Sequence, residues 1–146
     1  MAITLSDKVE VRVDQHNAEV RRYELGAAAS LGDLVYLDSD DKVQPALADA
    51  AATSEVIGMV VSSADVHNTT GDYAAGATVD VCIRGVVFGF SDMTNGARIY
   101  LSAATAGEWT ETATTTTGEF VKVAGYPIRS DILYIDPGPL AEEVPA

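Results

Sequence analysis

Apolar and polar residues alternate with a period of two through much of this chain, and turns rich in glycine, asparagine and aspartate cut the pattern into short pieces. That combination confines the chain to β architecture. Val9, Val11 and Val13 alternate with Lys8, Glu10, Arg12 and Asp14, the signature of a strand with one buried and one wet face. Further strands are expected at Leu34–Leu37, Val56–Val61, Val79–Phe90, Arg98–Leu101, Phe120–Val123 and Ile132–Ile135. Their β-branched and aromatic residues suit a pleated, half-buried surface. Turn signals lie between them at Leu31-Gly-Asp33, Asp38–Asp41, Thr70-Gly-Asp72, Ala75-Gly76, Thr94-Asn-Gly96 and Pro137-Gly-Pro139. Many short strands at this spacing predict an all-β barrel or sandwich.

Helix is expected only at the margins. Ala46–Ala52 has good propensity, with Pro45 as a possible first residue. Leu47 is its single large apolar side chain, so one or two turns is the limit. Asn17–Leu25 can be drawn as a short helix, but a strand is the preferred reading. Gly32-Asp-Leu-Val-Tyr-Leu37 resembles Gly96-Ala-Arg-Ile-Tyr-Leu101, and Val56-Ile-Gly58 later in the first stretch resembles Val123-Ala-Gly125 in the second. Two such copies would suit a pseudo-symmetric barrel, although any β protein can repeat a turn and an apolar strand by chance. The chain divides into residues 1–22, an arm or first strand; 23–137, a β-barrel body; and 138–146, a proline-rich tail expected to be mobile.

At 146 residues the chain is long enough to bury a core without staples, and its single cysteine, Cys82, makes no internal disulfide. Charge excludes more than it suggests. Twenty-two acids against nine bases give −13, which repels phosphate backbones and anionic bilayers, so no nucleic acid and no membrane is expected as partner. Residues 1–22 sum to zero, and the entire −13 falls on residues 23–146. The N-terminus lacks the basic and apolar regions of a signal peptide, and no apolar run reaches the length of a membrane span.

The residues offer no catalytic, cofactor-binding or metal site. His16 and His67 stand apart, and one cysteine cannot build a zinc cluster. Cys82 lies in Val81-Cys-Ile83, the setting of a buried small hydrophobe rather than a nucleophile. Asp38-Ser-Asp-Asp41 is the one cluster suited to a hard cation, but it has Val43 and Asp49 where a calcium loop needs glycine and glutamate. A solvated turn is the better reading. Trp109, the only tryptophan, is either an interface anchor or the cap of a core.

From Gly26 onward the chain resembles the capsid cement, or head decoration, proteins of tailed phages. The resemblance is carried by Gly26–Asp38, Lys42–Ala46, Ile57–Val61, Ala75–Val87, Ala97–Ser102, Gly125–Ile128 and Ile132–Pro137. It implies a small β-barrel or β-tulip-like homotrimer, made in the host cytoplasm, on the outer surface of the virion capsid. There it would clamp neighbouring copies of the major capsid protein without catalysis or cofactor. Trp109 and Tyr100 are candidates for the trimer interface. The neutral N-terminal segment suits strand addition to a partner's sheet edge, with Ile3, Leu5, Val9, Val11 and Val13 as apolar teeth. The same residues could instead form the first strand of the barrel. A head-fibre or tail-spike module that binds a receptor or glycan is the alternative function, and a glycan-active enzyme with spatially paired carboxylates is a third.

Overall fold

The computed structural model describes residues 12–13, 18–63, 68, 70–138 and 140–146. It is all-β apart from one helical turn. The strands are β1 (Arg12–Val13), β2 (Glu19–Glu24), β3 (Ala29–Ser30), β4 (Leu34–Leu37), β5 (Val43–Pro45), β6 (Val56–Ser63) and β7 (Asp72–Tyr73). They continue with β8 (Thr78–Phe88), β9 (Ile99–Leu101), β10 (Trp109–Thr110), β11 (Phe120–Val121), β12 (Val123–Arg129), β13 (Ile132–Ile135) and β14 (Glu142–Glu143). The turn of helix, α1, is Ala51–Ser54.

Eight strands follow one another in the order β10-β9-β12-β13-β8-β6-β4-β5 and curl into a half-barrel. The centre is β8. Its residues 79–82 pair with β6 and also with β2, so these two strands occupy opposite edges. Residues 87–88 pair with both β13 and β1 in the same manner. The exchange of partners falls near Gly85, whose φ of 139° is open to glycine and costly for other residues. The core follows β4, β6 and β8, where Leu34, Val35, Met59, Val60, Val79, Val81 and Cys82 are fully buried. β6 is buried on both faces along most of its length, which explains its nearly unbroken apolar run.

The two similar sequence stretches fold alike. β4 pairs with β5 on one edge and β6 on the other, and β6 then pairs with β8; β9, β10, β12 and β13 repeat this arrangement. Register agrees residue for residue. Tyr36 faces Val56 and Val35 faces Gly58, while Tyr100 faces Val123 and Ile99 faces Gly125. Each copy has a bulge at the same place, passing over Ile57 or Ala124. Even the turns correspond. The Asp38 carboxylate accepts hydrogen bonds from the amides of Asp40 and Lys42, and the Ser102 hydroxyl accepts them from Ala104 and Thr105.

Residues 46–48 stitch the curl. The Ala46 amide donates to Leu34 at 2.8 Å, and the Ala46 carbonyl accepts from Gly107 at 2.7 Å. The Ala48 amide donates to Ser102 at 3.0 Å, and its carbonyl accepts from Phe120 at 2.9 Å. These bonds explain a departure from the expected helix. With the carbonyls of Ala46 and Ala48 taken by Gly107 and Phe120 instead of by amides four residues on, helix is confined to Ala51–Ser54, and Pro45 ends β5 opposite Val35. The other differences are smaller. Glu19–Glu24 is a strand, as preferred, and the expected Phe120–Val123 strand breaks at Lys122, whose carbonyl accepts from Leu101 at 2.9 Å.

The duplicated glycines are required by close approach. A Cβ at Gly58 would collide with the Cys82 carbonyl, and one at Gly125 with the Tyr134 carbonyl. Gly58→Ala and Gly125→Ala should therefore each destabilise by about 1–3 kcal/mol, as overpacking of a rigid backbone does. Denaturant titration of both variants checks this, and similar losses are expected from the two equivalent positions.

Candidate functional site

Of the apolar teeth expected in the N-terminal segment, Ile3, Leu5, Val9 and Val11 lie outside the described residues. Val13 is in β1, its backbone in register with Val87 of β8. His16 and His67 also fall outside. Trp109 is 4% exposed and needs no partner chain to cover it. Its indole donates to the Gly32 carbonyl at 3.0 Å, and Phe90 meets it edge-on at 5.0 Å between centroids. This bond ties β10 of the second copy to the turn that opens the first. Tyr100 is half-buried between Val123 and Thr110 on the neighbouring strands.

A different surface emerges on the second copy. Along β12, Pro127 points inward while Tyr126 and Ile128 are 45% and 49% exposed. Tyr126 lies directly opposite Tyr134 on β13, and the two rings stand 5.3 Å apart. Exposed Arg98 precedes β9 and borders the same face. A shallow hollow of about 430 Å³ there is lined by Arg98, Tyr126, Pro127 and Asp136 among others. Sequence periodicity marks Tyr126 and Ile128 as sharing one face of a strand but does not tell which face is covered.

The C-terminal segment is held by a buried cation. Lys122 is 3% exposed; its ammonium donates to the Gly138 carbonyl at 2.9 Å and lies 3.7 Å from the Glu55 carboxylate. Glu55 also accepts from the Ala141 amide at 2.7 Å. Beyond this node, β14 pairs with β11, Glu142 opposite Val121 and Glu143 opposite Phe120. No alternation in Asp136–Ala146 announces this strand, because both of its residues are exposed glutamates.

The remaining polar chemistry serves the fold. Asp38 has its carboxyl held below the ordinary 3.8, chiefly by the hydrogen bond from Gln44 and next by the Lys42 amide. The acidic turn thus spends this carboxylate on its own loop and on Gln44. Burial pushes the Cys82 thiol up to about 11, which leaves it neutral and inert at physiological pH. Among the described residues no group of three or more His, Cys, Asp or Glu side chains could hold a metal ion. No helix of the described residues is long and apolar enough to cross a membrane.

The chain belongs to the phage structural cement proteins: residues 9–136 match the family model described as structural cement protein (E217 gp24/Pam3 gp6). A comparison with curated proteins gives no match. Membership implies a structural component of the phage virion, located at the capsid, that binds capsid proteins and stabilises the shell. It points to a non-enzymatic role.

Two consequences can be measured. Lys122→Met keeps most of the side-chain volume but leaves the Gly138 carbonyl without its donor. It should cost about 1–3 kcal/mol and expose the segment after Gly138 to limited proteolysis. Asp38 contributes stability that is complete above its ordinary 3.8 and is lost as pH falls through the lowered folded value. Asp38→Ala should therefore lower Tm at neutral pH, and the two melting curves should converge in acid.

Proposed function

We propose that this protein is a cement of the outer capsid surface, clamping neighbouring major capsid subunits against internal pressure as a homotrimer made in the host cytoplasm. The family match over residues 9–136 carries this reading. The distribution of charge supports it. The acidic residues 23–146 would face solvent and keep decorated particles apart, while the neutral first 22 residues approach the shell without repulsion. Ile3, Leu5, Val9 and Val11 supply alternating apolar side chains for strand addition to a capsid subunit, leading into Val13, which β1 ties to this chain's own β8. Many copies on one lattice gain avidity, so each contact can be modest.

Purified protein should bind undecorated expanded shells saturably and raise the temperature at which they break open, with three chains per particle by light scattering. Lack of binding to such shells would end the proposal. Deletion of residues 2–14 should abolish binding and leave a folded body; an unfolded product would place the segment inside the barrel instead.

A further inference from the structure

We infer that the outward face of β9, β12 and β13, centred on Arg98, Tyr126, Ile128 and Tyr134, is a docking surface for a capsid protein that presents a carboxylate beside apolar side chains. The inference rests on the cement reading and names a surface for it separate from the N-terminal segment.

The duplication supplies the argument. By the shared register, Arg98, Tyr126, Ile128 and Tyr134 of the second copy stand where the first has Leu34, Met59, Val61 and Cys82. All four first-copy residues are buried, at 0%, 0%, 4% and 0% exposure. There the chain itself covers the outer face of the sheet. In the second copy no described part of the chain does, since Tyr126 and Ile128 keep about half their surface in solvent. The residue types change accordingly. Leucine, methionine and cysteine are suited to a permanent interior, whereas tyrosine and arginine are the types enriched where proteins bind one another.

Charge identifies the partner's chemistry. Arg21, Arg22, Lys42, Arg84, Lys122 and Arg129 each lie within ion-pair distance of a carboxylate of this chain. Arg98 makes no such pair among the described residues. In a molecule of −13, with acids far in excess, an unspent guanidinium beside exposed Tyr126 is best matched by an acidic group on another protein. A second copy fits less well. Asp136, the one carboxylate lining the hollow beside Arg98, is engaged by Arg84 at 3.4 Å, and two such faces brought together would oppose their own arginines.

The experiment compares binding of full-length variants to undecorated expanded shells. Arg98→Glu, and separately Tyr126→Ser with Ile128→Ser, should each weaken binding roughly tenfold or more, as removal of interface anchors does, with Tm unchanged. Leu37→Ser, an equally exposed position on the first copy, should bind as wild type. If wild type binds and the face variants match it, the inference is overturned while the cement reading stands. Failure of wild type itself to bind overturns both. A change in particle mass by light scattering at unchanged shell affinity would make the face a contact between copies of this chain, which also overturns the inference.

Discussion

Backbone hydrogen bonding along both edges of β8 is the constraint on which the other strands depend. Over residues 79–82 the strand satisfies β2 on one side and β6 on the other; at residues 87–88 it satisfies β1 and β13. A strand paired twice must present apolar side chains to whatever covers it, and Val79, Val81, Cys82 and Val87 are fully buried. Gly85 meets the conflicting demand that one strand serve two groups of partners. Because β8 is the last strand of the first copy and pairs with β13, the last of the second, its geometry fixes how the copies meet.

Most strands were legible in the sequence because a pleated sheet with one wet face leaves a period-two trace. Leu34–Leu37 and Ile132–Ile135 match the expected limits residue for residue. Where the trace fails, the cause is specific. β14 consists of two exposed glutamates and is created by its pairing with β11 and by the Lys122 node, neither of which is local. Ala46–Ala52 has helical propensity, but seam hydrogen bonds claim its first carbonyls, so tertiary context overrides propensity. The duplication was visible as a likeness of two short phrases, yet its weight comes from the shared bulge and register, which no composition encodes. The candidate docking face was harder still. Tyr126 and Ile128 announce a common side of β12, but only comparison with buried Met59 and Val61 shows that this side lacks its cover.

The polar side chains divide into those that complete the fold and those that do not. Asp38, Ser102 and Asn68 each accept amide hydrogen bonds within their own turns, and Glu55 and Lys122 hold the chain after Gly138. Two of these residues, Asp38 and Glu55, are carboxylates whose oxygens are engaged by the fold itself. A protein that stabilises a capsid shell gains from rigidity, and buried, partnered polar atoms supply it.

The placement of β8 also sets the order in which the protein can be completed during synthesis. Its residues 78–88 must wait for β13, at residues 132–135, while β2 has already waited for β8 itself. The contacts that define the fold are therefore mostly distant along the chain, which slows folding and leaves open strand edges on the nascent polypeptide. An unfinished chain is exposed during that interval to pairing with other unfinished copies. Most of the acidic residues of 23–146 precede β13 along the chain, and their charge repels such intermediates from one another.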